Sequence, residues 1–516
     1  MGRVLSMADL DRLDLIYPRL EAVARRSPDK IAFRCGDSKL SYRQLLGSVA
    51  DMTRRLSAAG IGVGVPFAVL CENNLELMIA YYAAAYLGAV FVPINPSMSA
   101  RETAHIVFHS DAILLLYGEE RREVAAEAVD ASRRRSIVEF LQEDLPPGNP
   151  LESLPSERSA ATPHADFLII YTSGSTGSPK GVVFDQAGEA AGNASLISMW
   201  NIGIDDVTLV ALPLGFLYGL STAAATGIQA GGEVVVLPRF RPGDVLKAMI
   251  EHGVTVFHGV PTMFSMMLDY AEERNIQLDL SVVRQLVSAG APLPAELRSR
   301  FAARFHRRIN DYYALTEVRP VFGRYGDDAS TPPVGAIGKA SPGADIRFVD
   351  ANSQELPMGQ QGEMLVHASA TFRRYHKDAE LTRQSLRDGY LMTGDLGYRD
   401  ADGYFYLTGR LKDIIIRGGA NIAPVEVENI IATHPAVQAV AVIGVPDPKF
   451  GELVVAYVML RTNAHASVTE LAAHCLGKLA DFKIPASFVI LGELPLGVTG
   501  KVDKRALKAR WQEDHR

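Results

Sequence analysis

At 516 residues the chain exceeds the roughly 250–300 residues at which a single hydrophobic core stops growing, so more than one domain is expected. Its hydrophobic content of 48%, charged content of 22% and net charge of -7 are those of a globular protein without the basic field that nucleic acid binding demands. The three cysteines, Cys35, Cys71 and Cys475, lie far apart, which excludes a Cys/His zinc module and points to a reduced, cytoplasmic setting.

Along the chain, Asp9, Asp11 and Asp14 occupy the place where a signal peptide would need its apolar core, so secretion is not indicated. Met1 to Ser6 fits the myristoylation pattern too loosely to carry a lipid anchor. Leu77 to Ile94 is uncharged over eighteen residues, long enough for a membrane span. Tyr81, Tyr82 and Tyr86 are spread through it and Gly88 interrupts it, so it reads instead as a helix, a turn and a buried strand. Residues 118–162 turn polar, with Arg133, Arg134 and Arg135 in a row and several prolines, and read as surface helix followed by a connection.

Phe167 to Ile170 is expected to be a buried strand. It leads into Thr172-Ser173-Gly174-Ser175-Thr176-Gly177-Ser178-Pro179-Lys180-Gly181, where glycines let backbone N–H groups approach an anion, hydroxyls add donors and Lys180 adds a point charge. The run looks built to hold a polyphosphate; composition alone would equally describe a flexible loop, and the strand before it and the Pro-Lys-Gly after it argue against a slack linker. Its spacing is not that of a Walker-type NTPase, because no helix-opening Ser or Thr follows the lysine. Short apolar strands at 207–212, 233–237, 255–258 and 286–288, with amphipathic stretches between several of them, give the signature of layered α/β architecture.

Asp311-Tyr312-Tyr313-Ala314-Leu315-Thr316-Glu317 crowds an aromatic ring, a hydroxyl and a carboxylate together: Tyr313 for a purine, Thr316 for a phosphate, Glu317 for Mg²⁺. Further on come Thr393-Gly394-Asp395, then Gly409-Arg410-Leu411-Lys412-Asp413, then Gly418-Gly419-Ala420-Asn421-Ile422, and finally Thr499-Gly500-Lys501.

In this order and over residues 20–510, these motifs resemble those of the acyl-adenylate-forming superfamily of acyl-CoA synthetases, adenylation enzymes and beetle luciferases. The resemblance implies an acid–CoA ligase, in which a carboxylic acid attacks the α-phosphorus of ATP to give an acyl-AMP and pyrophosphate, and the thiol of coenzyme A then displaces AMP. A carrier-protein phosphopantetheine is the alternative acceptor, and luciferase-like chemistry a third reading. The implied architecture is a large α/β domain of several layered subdomains over 1–409, a hinge at 410–413 with Lys412 at its centre, and a small mobile α+β domain over 414–516. The partners are the acid, ATP and coenzyme A, with Mg²⁺ as cofactor, no nucleic acid, no transmembrane segment, and a monomer or homodimer as the assembly.

The resemblance also distributes roles. Thr172 to Lys180 hold the β- and γ-phosphates, Thr316 the α-phosphate, and Glu317 the metal. Tyr313, with Tyr312 beside it, lies at adenine, and Gly290, Ala291 and Pro292 run along the nucleotide. Asp395 takes the ribose hydroxyls with help from Arg410, and Lys501 reaches the acyl-phosphate oxygen. Gly418 and Gly419 line a pantetheine tunnel. The acyl pocket falls to Gly215, Phe216, Leu217, Tyr218, His258, Ala314 and Arg319. Two departures stand out: Phe216 replaces a customary histidine at the pocket mouth, and Arg319 occupies a position usually held by a small, polar or apolar residue. Arg319 is expected either to pair with a polar or second anionic group of the acid or to turn outward to solvent, and Gly215 together with Gly290 and Ala291 to make the site roomy.

Overall fold

The computed structural model describes residues 15–143, 162–172, 179–326, 328, 330–461, 463–495 and 502–515. Two large sheets form its body. A seven-stranded sheet runs in the order 374–375, 180–185, 166–172, 90–94, 66–70, 115–117, 134–136, and its last five strands are parallel. A nine-stranded sheet runs 339–340, 322–323, 310–313, 285–288, 256–259, 207–210, 233–236, 31–35, 38–41, parallel from Asn310–Tyr313 through Ile31–Cys35.

The main core joins both sheets to the helices between them. Phe91 and Phe167 from one sheet and Phe33 and Val210 from the other bury against Leu75–Leu87 and Gln186–Trp200. The uncharged stretch is accounted for here: Asn74 caps Leu75–Leu87 by accepting from the Leu77 N–H at 2.9 Å, Gly88 ends it at φ 67°, and Val90–Ile94 follows as a buried strand. A helix apolar on every side belongs inside a large protein as readily as in a membrane. Among the described residues no helix is long and apolar enough to cross a membrane. The arginine run departs from expectation: Arg134–Ser136 is an edge strand, its register fixed by Leu115 and Leu116 opposite Arg134 and Arg135.

A third, antiparallel sheet carries Tyr390–Arg399 beside Phe405–Arg410, and a fourth contains Ile415–Arg417, Ala420–Ile422, Val437–Asp447, Gly451–Leu460 and Ser487–Leu491. The fourth sheet buries both faces separately, under Val427 and Leu471 on one side and Leu494 and Leu507 on the other. Between the third and fourth sheets lies a single 3-10 turn, Leu411–Asp413, with Lys412 exposed. Arg461 reaches back from the fourth sheet's lobe to pair with Glu296.

Candidate active site

Strands Asp166–Thr172 and Lys180–Asp185 pair antiparallel, so Thr172 and Lys180 stand opposite each other at the mouth of the phosphate-loop hairpin. Ser173, Gly174, Ser175, Thr176 and Gly177 lie outside the described residues, as does Lys501. Lys180 places Nζ 5.9 Å from the centroid of the Tyr375 ring. The same tyrosine donates its hydroxyl to Glu317 Oε1 at 2.7 Å. Tyr375 sits on a short edge strand paired with Val182, and the Phe372 N–H donates to the Glu317 carbonyl at 2.7 Å, so the hairpin and the Thr316-Glu317 turn are tied through one segment. Tyr375 belongs to none of the motifs that the sequence offered, and nothing in its local pattern marks it.

Asp395 and Arg410 are opposite one another across two antiparallel strands, and their side chains pair at 2.7 Å. Asp395 is buried, and the Tyr313 hydroxyl also donates to it. Burial first, and then the neighbouring carboxylate, push the Tyr313 hydroxyl well above its ordinary pKa, so it stays a donor. One face of the Tyr313 ring is taken by Phe322, stacked at 4.7 Å and 13°. Gly290, Ala291 and Pro292 are exposed beyond the end of strand Gln285–Ser288, at the carboxyl edge where ligands of parallel sheets bind.

Tyr312 points to the opposite face from its neighbour, as strand alternation requires, and packs on Trp200 at 5.1 Å rather than joining the cluster of Tyr313, Asp395 and Arg410. His258 is fully buried against the same indole at 5.0 Å, and Tyr218 meets His258 edge-on at 5.7 Å. Burial alone drives the His258 imidazole down to about 3. Tyr218 opens a π-helical segment, Tyr218–Ala225, an irregularity that recurs at functional sites. Phe216 and Ala314 are half-buried nearby in sequence, while Leu217 joins the main core.

Two expectations are corrected. Gly215 does not widen a cavity: a Cβ there would lie 2.5 Å from the Asn95 backbone, so the glycine serves a close approach of two chains. Arg319 is neither outward nor free for a substrate anion. It is 1% exposed and its guanidinium bonds Glu189 at 2.6 Å, Asn193 at 3.0 Å and Ser221. Glu189, itself fully buried, also accepts from Tyr81 at 3.1 Å and from Ser221. Gly192 makes room for the guanidinium, since a Cβ at that position would lie 3.2 Å from Arg319 Nη1.

Gly418 and Gly419 have φ of 59° and 85° and form the two-residue turn between Ile415–Arg417 and Ala420–Ile422. Positive φ at both positions is what such a hairpin turn demands. Both are exposed.

The described residues contain no group of three or more His, Cys, Asp or Glu that could hold a metal ion. Glu317 nonetheless suits Mg²⁺, which is bound through one or two carboxylates with nucleotide phosphates and water completing the shell. Its Oε1 is oriented by Tyr375, and its Oε2 takes no hydrogen bond among the described residues.

Residues 20–376 match the AMP-binding enzyme model and residues 426–501 the AMP-binding enzyme C-terminal domain. The chain is 34% identical over 504 residues to a sulfoacetate–CoA ligase of Cupriavidus necator, covering 96% of this chain and 97% of that one. It is 34% identical over 490 residues to a feruloyl-CoA synthase of an Amycolatopsis species, covering 95% and 97%. The ATP-bound crystal structure of MatB from Rhodopseudomonas palustris superposes with a TM-score of 0.88 at 29% identity, covering 98% of this chain and 100% of that one. The apo form of the same enzyme gives 0.78.

Proposed function

The chain belongs to the AMP-binding enzyme family, and from that premise we propose how its residues divide the work of an acid–CoA ligase. The reaction is ATP-dependent: acid and ATP give acyl-AMP and pyrophosphate, and coenzyme A then takes the acyl group and releases AMP. A carrier-protein acceptor is not favoured, since the curated relatives are CoA ligases.

The observation that carries the assignment is the meeting of Lys180 and Glu317 on Tyr375, three residues far apart in sequence gathered at one hairpin mouth. Two anions, a carboxylate and a triphosphate, have to be held in reacting geometry, and the repulsion between them has to be offset. Lys180, with Thr172 and the loop between them, binds the outer phosphates, while Thr316 holds the α-phosphate. Glu317 would hold Mg²⁺, which when bound neutralises phosphate charge. Asp395 accepts from the ribose hydroxyls, exchanging the Tyr313 donor for them, and Arg410 keeps that carboxylate oriented.

The turn Leu411–Asp413 serves as hinge between a large lobe ending at 409 and a small lobe from 414, with Lys412 at the pivot. The higher score against the ATP-bound form than against the apo form of one and the same enzyme supports reading the present arrangement as the nucleotide-bound one. Lys501 then serves adenylation, and the Gly418-Gly419 turn serves the pantetheine arm in the second step. Three unpaired cysteines fit a cytoplasmic location for a monomer or homodimer.

ATP–pyrophosphate exchange across a panel of carboxylic acids tests the reading. Exchange should require an acid, and Lys501→Ala should lower it by roughly 10²–10³, as for loss of a positioned charge donor. The same variant should retain thiolation from presynthesised acyl-AMP; equal loss in both half-reactions refutes the role given to Lys501.

A further inference from the structure

His258 and Tyr312 are buried polar side chains left without hydrogen-bond partners among the described residues. Neither ring nitrogen of His258, and not the hydroxyl of Tyr312, finds a hydrogen bond among the described residues, although His258 is fully buried and Tyr312 is 5% exposed. The register puts them on one face of the nine-stranded sheet: His258 is opposite Val287, Val287 is opposite Asn310, and Tyr312 lies two residues further on. Both rings meet the indole of Trp200, and Tyr218 closes the group edge-on to His258. Native proteins pair nearly all buried polar atoms, and exceptions concentrated in one place mark a seat for something that supplies the missing partners.

The chemistry of the occupant follows from these groups. Held neutral by burial, His258 donates from one nitrogen and accepts at the other, so it matches a hydroxyl or carbonyl better than a second acid group. Arg319, the buried cation of the neighbouring network, already has its charge matched by Glu189. Trp200, Tyr218 and Tyr312 offer ring faces and edges that favour a flat, aromatic guest over a flexible chain.

Resting on the ligase reading above, we propose that the acyl site takes a compact aryl acid carrying an uncharged hydrogen-bonding substituent at its far end, and that His258 and Tyr312 recognise that substituent beside Trp200. An alkyl chain in the same place leaves the imidazole unsatisfied, which is how a polar site rejects an analogue that lacks the matching group.

The test measures kcat/KM in ATP–pyrophosphate exchange for benzoic, phenylacetic and phenylpropenoic acids, each with and without a para-hydroxyl, together with octanoic acid and the para-carboxyl analogues. On the best-accepted scaffold the hydroxylated acid should exceed its parent by about 10- to 100-fold, the worth of satisfying a buried donor and acceptor. His258→Leu should bring that ratio to within about threefold of one, mainly through KM of the hydroxylated acid, and Tyr312→Phe should bring it part of the way. In Trp511→Phe enzyme, which keeps Trp200 alone of the two tryptophans, indole emission should respond saturably to the hydroxylated acid without ATP.

Wild-type enzyme that uses the unsubstituted, para-carboxyl or octanoic acids equally well overturns the proposal, as does a ratio that neither variant changes. Exchange with none of these acids, in enzyme that exchanges with another carboxylic acid, likewise overturns the proposal; exchange with no carboxylic acid at all, in enzyme that binds ATP, overturns the ligase reading itself.

Discussion

One helix, Gln186–Trp200, carries at its two ends the means of comparing two buried polar groups. Near its start, Glu189 and Asn193 hold Arg319, and Ser221 and Tyr81 add their hydroxyls to the same carboxylate. At its last residue, Trp200 touches His258 and Tyr312, whose side-chain polar atoms find no hydrogen bond among the described residues. Arg319 Nε and Asn193 Nδ2 have no partner among the described residues, but the charges of the first cluster are satisfied within it; such a cluster fixes how elements pack, and one whose polar groups are left unmatched is available to a ligand. Arg319 was suspect from the sequence as a substrate contact, yet it belongs to the first kind. His258, which the resemblance placed in the acyl pocket without singling it out, belongs to the second.

The largest expected effect breaks the satisfied cluster. Arg319→Ala leaves the Glu189 charge buried without its partner and should cost about 3–5 kcal/mol of stability, read as a lowered denaturation midpoint. Adding Glu189→Leu to an Arg319→Met chain should restore much of that loss; if the double variant is no more stable than the single, the cluster is not a self-contained ion pair.

Asp395 lies between the two kinds, because it is paired inside the protein and also proposed to accept from the nucleotide. Asp395→Asn keeps the shape and weakens charge-assisted bonds, so KM for ATP should rise about 10- to 100-fold. A shift in thermal stability with KM unchanged would move Asp395 into the satisfied class.

The unsatisfied cluster has a pH signature. The His258 imidazole titrates at about 3 in the folded protein, against about 6.5 in an unfolded chain, so below pH 6.5 the unfolded state binds a proton that the native state refuses. This residue therefore removes stability as pH falls from 6.5 toward 3, with a slope approaching about 1.4 kcal/mol per pH unit, and removes none above that window. His258→Leu should flatten urea-derived stability between pH 6.5 and 4.5; an unchanged slope would mean that the imidazole is not sealed from water.

The smallest effect concerns Tyr375→Phe, which deletes the hydroxyl bonded to Glu317 while keeping the ring beside Lys180. A loss of about 1 kcal/mol, or roughly fivefold in the Mg²⁺ concentration for half-maximal exchange, is expected.

Much of the fold was legible in the sequence because apolar periodicity is local. Strands at 166–172, 207–210, 233–236, 256–259 and 285–288 lie where short apolar runs placed them, and the uncharged stretch from Leu77 resolves into helix, glycine and strand. The arginine run was not legible as a strand, since edge pairing with Leu115–Tyr117 depends on a partner outside the window. The motif residues were legible as neighbours: Asp395 pairs with Arg410, and Lys180 and Glu317 share Tyr375. Pairings across long separations were not: Glu189 with Arg319, which removes that arginine from the acyl pocket, is 130 residues apart, and Tyr375 with Glu317, beside Lys180, is 58. Gly215 suggested open space, whereas the space is filled by the Asn95 backbone. A small residue announces close contact as often as a void.

Arg410 is at once the cross-strand mate of Asp395 and the residue immediately before Leu411–Asp413. On the roles proposed above, the fastener of the sugar and the first link of the swivel are adjacent along the backbone. A swing of the small lobe would then strain the grip on the sugar directly, with no relay through the interior, and release of spent nucleotide would be timed by the same motion that presents the thiol.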